Sequence, residues 1–182
     1  LALESGVSLH HLRTGKLGEE LQDVAGACET LRSLPIFVDD TPSPNILQMR
    51  AMARRLQSEH GLELLIVDYL QLMSARRNYE SPVQQVTEIS RGLKGLAKAL
   101  NIPIVAVSQL SRAVEQREGR RPRLSDLRDS GSIEQDADLV MFIHRDDKID
   151  FEKAKRDNKL NRAQVLIAKH RNGPTGEIGF YV

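Results

Sequence analysis

Cysteine is nearly absent from this sequence of 182 residues, with Cys28 the single example. No internal disulfide can form, so a reducing, intracellular and cytoplasmic setting is expected. The spacing of its neighbours puts Cys28 on an apolar helix face as an inert core thiol, and zinc binding is not expected there. No apolar run approaches the roughly 18 residues of a membrane-spanning helix, and 28% of residues are charged. The start, Leu1-Ala2-Leu3-Glu4-Ser5, lacks the basic region and long apolar core of a secretory signal. Net charge is only +1, so overall charge points to no class of partner. Aromatic side chains are missing between Leu110 and Asp138, which argues against base stacking in that segment.

What is present is an ordinary hydrophobic fraction of 40%, enough for one domain with a real core. Leu17, Leu21, Val24, Cys28, Leu31 and Leu34 recur at helical steps until Pro35. Ile36-Phe37-Val38 predicts a short strand. Ser43-Pro44 predicts the N-cap and first turn of a helix that carries Ile46, Met49, Ala53 and Leu56 toward Gly61. Val83, Val86, Ile89, Leu93, Leu96 and Leu100 give the clearest helical stripe.

Leu64 to Val67, Ile104 to Val107 and Leu139 to Ile143 are apolar runs without alternation, which predicts strands covered on both faces. Val165 to Ala168 and Ile178 to Val182 flank the turn signal Asn172-Gly173-Pro174, which predicts an antiparallel hairpin. The charged stretch from Asp146 to Asn161 predicts a mobile surface loop. The alternation predicts an α/β fold with a mainly parallel sheet flanked by helices, in a single domain over residues 1–182.

Several residues are placed for chemistry. Asp68 ends an apolar strand, at the sheet edge where open α/β folds bind ligands. A carboxylate there can hold Mg²⁺, often through water, or simply cap the following turn. Ser108-Gln109 ends the next strand, where a neutral amide can sense a terminal phosphate or merely be solvated. Arg112, Arg117, Arg120, Arg121, Arg123 and Arg128 form a local basic patch. After it, Arg128, Ser130, Gly131 and Ser132 suit a phosphodiester backbone, although a solvated capping loop has the same composition. Lys169 and Arg171, near the hairpin tip, have the chemistry of cationic fingers that reach a neighbouring subunit's site, or of solvated charges. The five histidines have no metal-ligand spacing.

Together, Leu12 to Leu17, Val67 to Leu72, Val107 to Arg112, Asp126 to Asp138 and Lys169 to Pro174 resemble the DnaB family of bacterial replicative DNA helicases, in order and across essentially the whole chain. The resemblance implies a RecA-like P-loop NTPase core with Asp68 as the Walker B carboxylate and Gln109 as the phosphate sensor. It implies single-stranded DNA contacts by Arg128, Asp129 and Gly131, and ATP contacts across a subunit interface by Lys169 and Arg171. It further implies a homohexamer using ATP and Mg²⁺, 5′-to-3′ movement, and partnership with primase, the helicase loader and the clamp-loading machinery.

The sequence departs from the family in one respect. No G-x-x-x-x-G-K-[ST] occurs, and Thr14-Gly15-Lys16-Leu17 lacks both the earlier glycine and the following hydroxyl. The residue after Asp68 is Tyr69, so a water-orienting carboxylate is not adjacent to the metal ligand. These absences, with no initiating Met, predict a piece of a larger domain that alone neither binds ATP tightly nor unwinds DNA. The competing readings are a non-catalytic module that binds DNA or a partner, and a strand-exchange ATPase of the recombinase type. Asp68, Gln109, Lys169 and Arg171 together favour the motor over the module. The signature from Arg128 to Asp138 favours it over the recombinase.

Overall fold

The computed structural model describes residues 1–75, Tyr79 and 81–182, and the side chains of Glu118, Arg128, Asp129 and Ser130 lie outside the described set. The expected DNA contacts of Arg128 and Asp129 therefore fall outside the described residues. Leu1–Thr41 forms one compact unit and Pro42–Val182 another.

The first unit holds α1 (Ala2–Ser5), α2 (Leu9–Thr14) and α3 (Leu21–Arg32). Ser8 caps α2 by accepting the His10 N–H, and Gly15 ends it in the left-handed conformation. Val7 and Ala27 are buried, whereas Leu21, Leu34 and Cys28 are exposed. The predicted buried stripe is thus not covered within this unit, where the four-residue α1 and the short 3-10 turn Gly18–Glu20 pack on α3. The core thiol expected at Cys28 is corrected to an exposed one. Residues 36–38 form no strand, and Val38 is 89% exposed. Without a ladder partner, an apolar tripeptide gains nothing from extended pairing.

In the second unit, α4 spans Ile46–His60. Its N-cap is Asn45 rather than the expected Ser43. Asn45 Oδ1 accepts the N–H groups of Leu47 (2.9 Å) and Gln48 (3.0 Å), and Gln48 Oε1 accepts the Asn45 N–H at 2.9 Å. This reciprocal box satisfies donors that the first helical turn otherwise leaves unpaired. Strand β1 (Leu65–Val67) follows, then α5 (Pro82–Leu100), which starts with proline in its first turn and stops at Asn101 with φ 54°. Of the predicted α5 stripe, Val86, Ile89, Leu93, Leu96 and Leu100 are buried, whereas Val83 in the first turn is exposed.

Strand β2 (Ile104–Ala106) pairs in parallel with β1, Val67 opposite Ala106. A 3-10 segment, Leu124–Ser130, runs into α6 (Gly131–Asp136), and β3 (Leu139–His144) follows. Residues 146–156, expected as a loop, instead form α7 (Asp146–Ile149) and α8 (Phe151–Arg156), with Ala154 buried. The Asp150 side chain caps α8 by accepting the Lys153 N–H, a signal hidden within the charged run. Strands β4 (Arg162–His170) and β5 (Gly176–Tyr181) complete an antiparallel sheet in the order β3-β4-β5.

The expected α/β class and terminal hairpin are present. The parallel part comprises β1 and β2, and β3 joins the antiparallel sheet. The expectation of strands covered on both faces is corrected: Ile66, Val105, Met141 and Ile143 are exposed, while Val67, Val140 and Phe142 are buried. One core cluster joins α4, β1 and α5 through Ile46, Val67, Ile89, Leu93 and Leu96. A second joins Leu127, Val140, Phe142 and Leu166, and Ile133 of α6 packs against both. No helix among the described residues is long and apolar enough to cross a membrane.

Candidate functional site

Parallel pairing puts the C-terminal ends of β1 and β2 at the same sheet edge. The ladder continues past the strands, with Val107 N–H donating to the Val67 carbonyl and Leu70 N–H to the Val107 carbonyl, each at 2.9 Å. Asp68 directly follows β1 and Gln109 lies three residues beyond β2, so both stand at this edge, and both are exposed. The Asp68 carboxylate has no hydrogen bond or ion pair among the described residues, so its oxygens are open to a ligand. The turn-capping alternative for Asp68 has no bond to support it.

Gln71, given no individual role from the sequence, bridges the two strand exits. Its Nε2 donates to Ser108 Oγ at 3.1 Å, and its Oε1 accepts the Gln109 N–H at 3.3 Å. Only register could have revealed this: an amide three residues after Asp68 needs the neighbouring strand's tail as its partner.

A second group of site residues lies along α6. Gly131 is exposed at its start, with φ −53° and ψ −21°. The expected loop is thus helical here, and the left-handed freedom of glycine is not used. At the other end of α6, Lys169 Nζ donates to the Glu134 carbonyl. Arg171 donates to the Gln135 carbonyl at 3.1 Å and pairs with Asp138 at 2.9 Å. The two cations expected to project from a turn instead fold back on their own chain, because the last carbonyls of a helix are unpaired acceptors with partial negative charge.

From α5, Lys94 pairs with Asp138 and Ser90 Oγ donates to Asp136 at 2.6 Å. The hydrogen bond from Lys94, then the nearby charges of Lys94, Arg171 and Lys169, hold the Asp138 carboxyl below the usual range against a desolvation that raises it. No hydrogen bond or ion pair among the described residues joins the Lys169 and Arg171 group to Asp68 or Gln109. The candidate residues thus fall into two separate groups, one around Asp68 and one around α6.

The fit of this chain to a nucleotide and its metal can be judged at Asp68. One free carboxylate at a strand tip suits Mg²⁺, which commonly takes one or two carboxylates together with phosphates and water. Among the described residues no group of three His, Cys, Asp or Glu could hold a metal alone. The residues present fit a metal carried in with phosphate.

The DnaB-like helicase C terminal domain family matches residues 1–182. The replicative DNA helicase DnaB of Rickettsia typhi is 46% identical over 195 residues, covering 100% of this chain and 39% of that protein. The DnaB helicase of Geobacillus stearothermophilus is 47% identical over 180 residues, covering 98% of this chain and 39% of that protein. The chain thus spans about two-fifths of the length of these relatives.

Among solved structures, a DnaB-like replicative helicase, solved in a study of its interactions with primase, superposes with a TM-score of 0.89 at 33% identity, over 98% of this chain and 44% of that one. A second solved structure, an isolated ATPase domain, gives a TM-score of 0.88 at 33% identity over 97% of this chain and 62% of that one. With a RecA-like α/β fold and a family match along its full length, the chain belongs to the DnaB-like helicase C-terminal domain family.

Proposed function

We propose that residues 1–182 are one partial motor domain of a hexameric replicative helicase. In this reading the whole protein couples ATP hydrolysis to 5′-to-3′ movement on single-stranded DNA and to duplex unwinding. The observation that supports it is the placement of a free Asp68 carboxylate and Gln109 beyond two parallel strands at one sheet edge, with Gln71 fastening the Ser108-Gln109 tail. Primase, the helicase loader and the clamp-loading machinery are its proposed partners, in the cytoplasm.

The roles follow from the chemistry of each side chain. Bound ATP with Mg²⁺ would supply the phosphoryl group and neutralise its charge during transfer. Asp68 would hold the metal, its carboxylate accepting hydrogen bonds from water around the ion. Gln109 donates its amide N–H to a terminal phosphate oxygen and loses that partner after hydrolysis. Lys169 and Arg171 serve as donors to a nucleotide on the adjoining subunit, so their contacts with α6 must exchange for contacts with phosphate. Arg128 and Gly131 meet the DNA backbone, with Asp129 beside them. Such contacts are salt-sensitive and poor in sequence preference.

The motor reading is tested by single-strand-stimulated ATP hydrolysis in the full-length protein and its Asp68→Ala variant. Stimulated turnover that collapses in the variant is the expected result, and no turnover in either form overturns it. The alternative, a module that binds without hydrolysis, is favoured only if the full-length protein also lacks the G-x-x-x-x-G-K-[ST] that is missing from these residues. For the same reason the isolated chain should bind ATP only weakly. Tight, Mg²⁺-dependent heat release on calorimetric titration of residues 1–182 would refute that expectation.

A further inference from the structure

Asp126 is 4% exposed, although it lies in an arginine-rich surface segment. Both its carboxylate oxygens are engaged. Arg117 grips them as a fork, Nη2 to Oδ1 at 2.7 Å and Nη1 to Oδ2 at 3.1 Å, and the Arg123 N–H donates to Oδ2 at 2.7 Å. Arg117 Nη1 also reaches the Arg121 carbonyl at 3.2 Å, and the Asp126 carbonyl accepts the Ser111 N–H at 3.0 Å. One aspartate thus fastens the chain at residues 111, 117, 121 and 123 to the start of the 3-10 segment. The next residue, Leu127, is 5% exposed and sits in the core with Val140, Phe142 and Leu166.

This arrangement changes the meaning of the basic patch. Arg117 is committed to Asp126, and Arg121 pairs with Glu177, so neither is a free charge for a polyanion. A planar guanidinium fork fixes orientation as well as charge, which a lysine in its place cannot do. The anchored residues end at Leu127, and residues 128–131 extend directly from them. A segment ordered before it meets its ligand loses less freedom on binding.

We propose that the Arg117–Asp126 pair is a positioning device for single-stranded DNA, setting the path by which residues 128–131 run from Leu127 into α6. Affinity for DNA then depends on a carboxylate that never touches it. The inference rests on the reading that residues 128–131 contact the DNA backbone.

The test uses the full-length protein with a non-hydrolysable ATP analogue and a fluorescent oligothymidylate, titrated over a salt series. Asp126→Asn should weaken binding roughly tenfold, the worth of one charge-assisted contact. It should also flatten the salt slope by about 0.7, the share of one phosphate on a single strand. Unstimulated turnover and the KM for ATP should stay as in the parent. Arg117→Lys, which keeps the charge and removes the fork, should give a smaller loss in the same direction, and it serves as the folded alternative if Asp126→Asn unfolds. The combination of Asp126→Asn with Arg128→Ala should bind no more weakly than Arg128→Ala alone, because the two act through one contact.

Losses that add in full, or DNA binding unchanged in Asp126→Asn and Arg117→Lys while Arg128→Ala is impaired, would overturn the positioning role alone. Parent-like binding by Arg128→Ala would overturn the loop reading, and the inference with it.

Discussion

Arg171 donates to the Asp138 carboxylate at 2.9 Å and to the Gln135 carbonyl at 3.1 Å, tying the end of β4 to the end of α6. The backbone repeats the link, with the Arg171 N–H donating to the Asp138 carbonyl at 2.8 Å. The side-chain pair is about half exposed, so solvent screens it and its value is orientation more than stability. Asp138→Asn should move the thermal midpoint of the full-length protein by less than about 2 °C. The same substitution should lower DNA-stimulated turnover, since Arg171 then keeps only the Gln135 carbonyl as a side-chain partner and Lys94 loses its carboxylate. A drop of many degrees in calorimetry would show that the pair is structural instead.

Acid should release Asp126 and Asp147 late. Arg117 holds the Asp126 carboxyl below its usual range, and Arg145, gripping Asp147 at 2.7 and 3.0 Å, does the same there. A carboxyl with a lower pKa in the folded state stabilises the fold above its unfolded value, and that stabilisation fades as pH falls through the folded value. Stability contributed by both groups should therefore be level near neutrality and decline only below about pH 4. Carboxyl titration by NMR should find both midpoints below those of exposed aspartates, and midpoints at or above the ordinary value would refute the assignment.

Gly92 lies where α5 meets the start of α4. A Cβ added there would sit 2.6 Å from Ile46 Cγ1 and 3.3 Å from Ile46 Cβ, on a side chain that is itself buried. Alanine ordinarily favours a helix over glycine by about 1 kcal/mol. Here overpacking, about 1–3 kcal/mol, should win, and Gly92→Ala should destabilise. Ile46→Ala, which removes the clashing Cγ1, should cost less in the Gly92→Ala background than in the parent, as read by urea unfolding. A Gly92→Ala protein more stable than the parent would show that Ile46 yields freely.

Leu96 is fully buried, while Ile143, also on a regular element, is 76% exposed. Leu96→Ala should cost about 3 kcal/mol from lost burial and the cavity left behind. Ile143→Thr should cost less than about 0.5 kcal/mol. Chemical denaturation of the two variants side by side checks the contrast, and equal losses would contradict the burial pattern.

Gln71→Leu should leave both strands formed and free the tail that carries Gln109. Loss of its two neutral hydrogen bonds should reduce stimulated turnover in the full-length protein by roughly tenfold. The KM for ATP should change little, because the Gln71 side chain hydrogen-bonds only to Ser108 and Gln109 among the described residues. A raised KM with unchanged kcat would instead place Gln71 in nucleotide binding.

Where local rules decide, the residues announce the fold. The α5 stripe is legible because its apolar positions repeat every three or four residues between Pro82 and Asn101. The hairpin is legible because Asn172-Gly173-Pro174 separates two apolar runs. The α4 cap was legible too: Asn45 with Gln48 is a better reciprocal pair than Ser43 with Pro44 supplies. Cys28 and Ile36 to Val38 mislead because periodicity shows which face is apolar and says nothing of what covers it. Asp68 and Gln109 are visible as strand ends, but Gln71 and Asp126 draw their meaning from partners in other elements. That pairing is a property of three-dimensional register.

Ile133 packs against both core clusters, between α5 on one side and the β3-β4 sheet on the other. A side chain shared by two clusters ties their packing together, so a change of volume at Ile133 is felt on both sides of α6 at once. The same short helix ends at the carbonyls of Glu134 and Gln135, where Lys169 and Arg171 rest.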